Sequence, residues 1–477
     1  MKNPIASEED PDLKRSGAKG CLWTIGIACI VFLLIASSIL SYWVVRENND
    51  RKILNAQLDE LRNRGIPLDN ASALKWYQDN TDATDVQAWE EIFAVTSSKE
   101  FLEWSRGIES FDPKAVGAGW TESGWIGEGN ERDLVAKTVD LRRRIHELAR
   151  KKVPVQFLRE FDSINTLLPQ AQESRTIQRL LGTEFQVAFA DRDSYACRQA
   201  IEAGLDLPHL FRSDPWIVCH MISIAHRWVA MQNIRQAVAY DVLSEEDLEA
   251  LLTRLASEPS AMERLPQMIR GERAAVMEAM QNPSQYVDSF GGSGAQQALM
   301  TLLGRASSRD TYHLLQYYDD IEALDVSNID RLVKQAAQID EAIRLQIRSA
   351  GVLEMNDWRI SSLLLPAVEA MVNALVRDVV QDRFTRHALA IRLYQKRQGR
   401  FPATLSDLSE IDFDSNEFLP WGGKPFGYRV EEGDAILWAT TPKDGSSTSQ
   451  NPPAIDSQTG DQELRKQFYL RIRPPAK

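Results

Sequence analysis

The sequence predicts a mainly α fold: a membrane anchor helix, a helical-hairpin or bundle ectodomain, and a small C-terminal α+β unit of one long helix plus a β-hairpin. Three observations carry that expectation. One uncharged apolar run stands near the start, helical periodicity with capping signals fills the middle, and short alternating segments between turn residues appear only near the end. The expected division is a short cytoplasmic tail over 1–19, a transmembrane anchor helix over 20–45, and a juxtamembrane helical region with a Gly/Trp-rich loop over 46–130. A helical-hairpin domain follows over 131–359, and the long helix with its β unit occupies 360–477.

Between Lys19 and Arg46 the chain carries no charge for 26 residues. At about 1.5 Å of rise per residue, that run crosses the roughly 30 Å hydrocarbon core of a bilayer. Trp23 and Trp43 are spaced about as far apart as the two lipid–water interfaces, where indole rings prefer to sit. A cleaved signal peptide fits less well. The run exceeds the usual h-region, and Ala36-Ser37-Ser38 lies inside it with apolar residues still to come. Cys21 precedes the run, which excludes a lipoprotein pattern. Lys14, Arg15 and Lys19 just before the span favour a cytoplasmic N-terminus, against Arg46, Arg51 and Lys52 on the other flank. The expected location is the cell inner membrane, crossed once, with the ectodomain extracytoplasmic and the lipid bilayer a partner through residues 20–45.

The formal net charge of −13 lies entirely beyond the membrane, because the tail balances four basic against four acidic residues. An acidic ectodomain repels phosphate backbones, so nucleic acid is not an expected partner. Cys197 and Cys219 are the cysteines outside the apolar run. They could close one bond in an oxidising compartment; two buried free thiols are the preferred reading.

Beyond the membrane, Ile53, Leu54, Leu58 and Leu61 continue a helix that Gly65 stops, ahead of the Ile66-Pro67-Leu68 break. Asn70 or Ser72 is the expected cap of the next helix. Asp85 to Val95 and Glu100 to Arg106 read as short helices with Trp89, Phe93 and Trp104 facing a core. The Gly-rich stretch from Ile108 to Asn130 carries Trp120 and Trp125, and reads either as a loop tucked onto the body or as a ligand-binding loop. Leu134, Val135, Val139, Leu141, Ile145 and Leu148 set one helical stripe, and residues 173–207 read as helix, tight Asp-Arg-Asp turn, helix. Pro215 opens the next helix, and Ser244 to Asp247 resembles a capping box ahead of Leu248, Leu251 and Leu255. After a loop at 289–294, helices are expected near Thr311–Ala323, Asn328–Ser349 and Ile360–Gln398.

No residue pattern asks for catalysis. His220 and His226 are six apart, so on a helix they do not share a metal as an i, i+4 pair would. His146, His209, His313 and His387 lack ligand-like sequence neighbours, and no nucleophile elbow or phosphate loop occurs. The expectation is no catalytic, cofactor-binding or metal site, no cofactor, and no enzyme activity.

The C-terminal region carries the most specific pattern. A long helix runs to Gly399, Phe401 and Pro402, with Leu405 and Leu408 following. Pro420, Trp421, Gly422 and Pro425 form a turn cluster that opens two strands, Phe426–Val430 and Ala435–Thr440, joined at Glu432-Gly433-Asp434. Phe468, Leu470 and Ile472 alternate as a third strand.

With Tyr428, Asp444 and Gly445, this order resembles the C-terminal half of the type II secretion pseudopilins. The resemblance covers about sixty residues and implies a pseudopilin-like unit with a structural role. The same ending on a single-pass anchor, with Arg64 to Leu68 and Gly271-Glu272-Arg273-Ala274, resembles a group of uncharacterised single-pass membrane proteins of planctomycete-type bacteria. Pseudopilins place Glu at the fifth position of the apolar helix; Ile25 stands there, so the resemblance does not extend to pilin-type processing. The major pseudopilin also binds calcium in its final loop. Asp444, Asp456 and Asp461 occupy the comparable segment at a spacing that does not match a calcium set.

The expected role is a membrane-anchored envelope scaffold or protein-interaction protein with protein partners in the envelope, associated with a secretion or pilus-like system. The alternative is an extracytoplasmic solute- or glycan-binding sensor that uses Trp104, Trp120 and Trp125. A third reading, an envelope hydrolase without a recognisable motif, ranks below both.

Overall fold

A computed structural model describes residues 11–108, 128–282, 285–286, 306–350, 357, 368–416, 419–420, 424–439 and 468–474. Among them are fourteen α-helices and one three-stranded sheet near the C-terminus, so the chain is mainly helical.

Helix α1, Pro11–Asn63, is continuous from the apolar run into the body. Its described side chains from Ile30 to Val45 are almost all exposed, and it is the one described helix long and apolar enough to cross a membrane. Docking begins at once beyond the apolar stretch. Arg46 pairs with Asp357, Glu47 accepts from the Ser308 hydroxyl at 2.6 Å, and Asp50 pairs with Arg309 at 3.2 Å. Two turns later Leu54 and Leu61 enter the main core. Gly65 ends the helix at φ +70°, a left-handed position that glycine adopts freely. The Ile66 amide returns to the Leu61 carbonyl at 3.0 Å, and Ile66 and Leu68 drop into the same core.

Helix α2, Asn70–Asp79, is capped by Asp69, not by Asn70 or Ser72. Asp69 accepts from the Ser72 amide at 2.7 Å while Ser72 Oγ returns to the Asp69 amide, a reciprocal box. Asn70 instead accepts from the Ser163 amide at 3.0 Å. Helices α3, Val86–Thr96, and α4, Lys99–Trp104, bury Trp89, Phe93 and Phe101.

The stripe from Leu134 to Leu148 lies on two helices, not one: α5, Glu128–Lys137, and α6, Val139–Ala149. Thr138 separates them. Its hydroxyl bonds back to the Leu134 carbonyl at 2.7 Å, and this competition for the backbone bends helices. Val139, expected on the stripe, is consequently exposed.

Helices α7, Pro169–Ala190, and α8, Ser194–Asp206, form the expected hairpin. Arg192 turns the chain at φ +55°, and Asp193 caps α8 by accepting from the Ala196 amide at 2.9 Å. Helix α9, Ile217–Ala239, follows, then α10, Glu245–Ala256, whose cap Ser244 accepts from the Asp247 amide at 3.1 Å. The Asp247 carboxylate accepts from Ser194 and Ser244 hydroxyls, so this acid also ties α10 to α8.

Helix α11, Leu265–Gln281, crosses the start of α9 at Gly271, where a Cβ would lie 2.0 Å from the Pro215 carbonyl oxygen. The neighbouring Glu272 accepts from the Ile217 amide at the N-terminus of α9, and Arg273 reaches Asp319 at 3.1 Å and Glu322 at 3.0 Å. The Gly-Glu-Arg-Ala segment is therefore a packing junction. Arg273's partners lie on α12, Ser308–Glu322; α13, Ile329–Ser349, and the 31-residue α14, Val368–Gln398, follow. Helix α14 is buried on nearly all sides, as a central helix must be.

The sheet has order β1-β2-β3, all antiparallel: β1, Gly427–Glu431; β2, Asp434–Ala439; β3, Phe468–Ile472. Glu432 and Gly433 have φ of +54° and +87°, the twist that two-residue hairpins require. The residues of the C-terminal pattern meet here. The Tyr428 hydroxyl donates to the Pro402 carbonyl at 2.8 Å, tying the turn after α14 to β1. Gly427 leaves room for the Trp438 indole, whose ring a Cβ would meet at 2.1 Å.

Candidate functional site

Where α8, α9, α10 and α14 converge, the fold buries an unusual number of charges. Asp378, Asp382 and Arg386 are spaced four apart on α14, so they share one face. Opposite them, Arg227 of α9 reaches Asp378 at 3.4 Å and also bridges Asp382. Arg386 Nε lies 2.7 Å from Asp382, and its guanidinium donates to the Leu255 carbonyl at the end of α10. Arg254 of α10 pairs with Glu258 and, at 2.5 Å, with Asp206. His209, on the turn after α8, meets Glu258 at 3.4 Å, and Lys152 meets Asp206 at 3.5 Å.

Between these side chains lies a cleft of about 260 Å³, bordered by Arg227, Glu258, Ser260, Asp378, Asp382, Arg383 and Arg386. A recess of about 20 Å³ extends it toward His209 and Arg264. Buried atoms here without a hydrogen-bond partner among the described residues include Asp378 Oδ1, Arg264 Nε and His209 Nδ1. Arg264 makes no ion pair or hydrogen bond with any described residue. Arg383 donates to the Leu419 carbonyl at 2.5 Å and is bridged to no described carboxylate.

Burial and pairing pull the acids apart. Burial pushes Asp378 up to about 6, with Asp382 adding to the rise and Arg227 and Arg264 opposing it. Asp382 is also raised by burial, against Arg227 and Arg386. Burial would raise Glu258 too, but His209, Arg254 and Arg227 outweigh it and hold that carboxyl at about 2. Burial, with Arg212 and Arg227 nearby, lowers Arg264; burial also lowers Arg383. Strongly perturbed groups gathered at a cleft mark functional sites more often than chance. The lining offers guanidiniums and one carboxylate oxygen without a described hydrogen-bond partner, a set suited to recognising a small polar or charged group.

Of the residues singled out in the sequence, His209 borders the recess, and the others described lie elsewhere. Trp104 is half-buried beside Lys137, whose Nζ is 5.9 Å from the ring centroid, and packs against the core. Trp120 and Trp125 fall outside the described residues, as do the 289–294 loop, Trp421, Gly422, Asp444, Gly445, Asp456 and Asp461. His220 and His226 are buried on α9 with different partners, the Asp214 carbonyl at 2.6 Å and Ser174 Oγ at 3.0 Å. Burial drops each ring to about 3, so both are neutral core histidines. His146 lies 2.8 Å from Glu184, and His387 packs edge-on against Phe413 and Phe426. Among the described residues no group of three or more His, Cys, Asp or Glu is arranged to hold a metal ion. Cys197 and Cys219 are buried free thiols in separate hydrophobic clusters, as preferred from the sequence.

The charge cluster was missed because its members are spread over more than 200 residues. One signal was available: Asp378, Asp382 and Arg386 repeat at four-residue spacing on one face of the long helix. No family of known proteins, no curated protein and no solved structure matches this chain.

Proposed function

We propose that this protein is a membrane-anchored scaffold or protein-interaction protein of the cell envelope, its N-terminus in the cytoplasm and its helical body outside the inner membrane. The observation that carries the reading is the continuity of α1. One helix passes from exposed apolar side chains to Leu54 and Leu61 in the core, with the Arg46, Glu47 and Asp50 contacts between them. Such an attachment holds a large body at a fixed height and angle on the bilayer, as suits presenting a surface to partners. The tie between Tyr428 and Pro402 supports a pseudopilin-like C-terminal unit, and with it an association with a secretion or pilus-like system.

The test is to solubilise the full chain gently from membranes and identify what co-purifies. Recovery of secretion-system or other envelope components supports the reading. Recovery of the protein alone, under conditions that preserve known envelope complexes, overturns it. The solute-binding alternative draws its support from the cleft at Arg227 and Asp378, not from Trp104.

A further inference from the structure

We propose that the cleft between α9, the Pro259–Arg264 segment and α14 binds a small organic acid that also carries a hydrogen-bond donor, of the amino-acid or hydroxy-acid class. Its size sets the first limit. At about 260 Å³ the cleft falls below the roughly 300–1,000 Å³ of drug-sized sites. A compact metabolite fits; a peptide or oligosaccharide does not.

Charge sets the second limit. The cleft and its recess are lined by the guanidiniums of Arg227, Arg264, Arg383 and Arg386 against the carboxylates of Glu258, Asp378 and Asp382. The acids are already bridged: Glu258 to Arg254, Asp378 to Arg227, and Asp382 to Arg227 and Arg386. Arg264 and Arg383 have no such bridge, although Asp378 and Glu258 lie within electrostatic reach of Arg264 and Asp382 of Arg383, so the lining carries four guanidiniums against three carboxylates. An anionic group placed beside these half-buried guanidiniums would make charge-assisted hydrogen bonds with them and balance the extra cation. Inorganic phosphate would satisfy the guanidiniums alone.

The third limit is the acceptor. Asp378 is almost fully buried and borders both the cleft and the recess, yet its Oδ1 has no described partner. An ammonium or hydroxyl on the ligand would donate to it, and a bare carboxylic acid would not. The ligand therefore places its carboxylate at Arg264 or Arg383 and its donor at Asp378.

The experiment uses the detergent-solubilised full chain and reads thermal midpoint and calorimetric affinity. The probes are glycine, L-serine, L-glutamate, L-lactate, acetate, ethanolamine and inorganic phosphate, each at about 10 mM, where a ligand of sub-millimolar affinity shifts the midpoint of a chain this long by about 2–3 °C. The expected result is a shift from at least one amino or hydroxy acid that acetate, ethanolamine and phosphate do not match. Arg264→Met should weaken that ligand at least about tenfold, as should Asp378→Asn, while surface Arg132→Met leaves affinity unchanged. The two cleft variants check each other should one fail to fold. No shift from any probe overturns the proposal. A shift matched by acetate or phosphate overturns it too, because the cleft then reads charge alone. Binding that survives both substitutions places the ligand elsewhere and also overturns it.

Discussion

Arg392 donates from both Nε and Nη2 to the carbonyl oxygen of Val238, at 3.0 and 2.9 Å. The same fully buried guanidinium reaches the Arg473 carbonyl beyond β3 at 2.6 Å and the Gln395 side chain at 3.1 Å. Helix α9 ends at Ala239, and the last carbonyls of a helix have no partner within it. One side chain of α14 thus satisfies them and joins the helical body to the end of the sheet. A cation at a helix C-terminus gains further from the helix dipole.

Replacing Arg392 by Met should keep the volume and remove its donors from the Val238 and Arg473 carbonyls, while the Ala239 carbonyl keeps the Arg473 amide at 3.1 Å. The expected loss is about 2–4 kcal/mol in urea unfolding, from buried acceptors left unmade. Arg392→Lys, whose ammonium is a compact point charge without the planar fork, should fall between wild type and the Met variant.

Two glycines should respond in opposite directions. Gly271→Ala forces a Cβ to within 2.0 Å of the Pro215 carbonyl, so α11 and α9 must separate. A loss of at least about 2 kcal/mol is expected, as for overpacking. Gly182, inside α7, has nothing within 4 Å of an added Cβ, so Gly182→Ala should gain about 0.5–1 kcal/mol. Thermal midpoints of the two variants measure the contrast.

Glu272 gives a pH signature. Burial pushes its carboxyl up to about 7, with the Ile217 amide opposing the rise, and it faces Tyr318 and Cys219. A raised carboxyl holds its proton more firmly when folded, so its contribution is intact below about 4.5 and declines as pH rises through 7. Glu272→Gln keeps an acceptor for the amide and removes the titration. Relative to wild type, the variant should therefore gain stability between about pH 5 and pH 8, read as the difference in urea midpoints. His220 and His226, lowered to about 3, contribute stability that is lost as pH falls from 6.5 toward 3. They are present in both proteins and cancel in that difference.

The body's dependence on α1 is testable by length. A chain beginning at residue 46 keeps Asp50, Leu54, Gln57 and Leu61, and should be a stable protein that resists trypsin. A chain beginning at residue 66 loses all four. Removing two buried leucines alone costs about 4–8 kcal/mol, enough to unfold a marginal domain. Proteolysis of the two purified forms compares them.

What the sequence made legible was local. The Gly65 stop, the Asp193 and Ser244 caps, the α7–α8 turn and the hairpin at Glu432-Gly433 each depend on a few adjacent residues whose dihedrals or side chains act at once. The break at Thr138 escaped because its cause is a hydroxyl choosing a backbone carbonyl, which leaves the apolar spacing nearly undisturbed. The cap of α2 was misplaced by a residue for a similar reason, since Asp69 and Ser72 satisfy each other. Of the cleft, the sequence shows the spacing of Asp378, Asp382 and Arg386 on one helix face and nothing of what meets it. Arg227 and Asp382 are 155 positions apart, and their pairing is a property of how α9 meets α14.

Because α1 does not break between Val45 and Arg46, the apolar stretch and the body share one rotational phase. Inserting a single alanine at that boundary would turn the body by about 100° about the helix axis and lift it about 1.5 Å; four alanines would bring it back to within about 40°. Each neighbour along one stripe of the apolar stretch therefore corresponds to one compass bearing on the body. The helix works as a keyed shaft: it sets which side of the body a companion packed along the apolar stretch would meet.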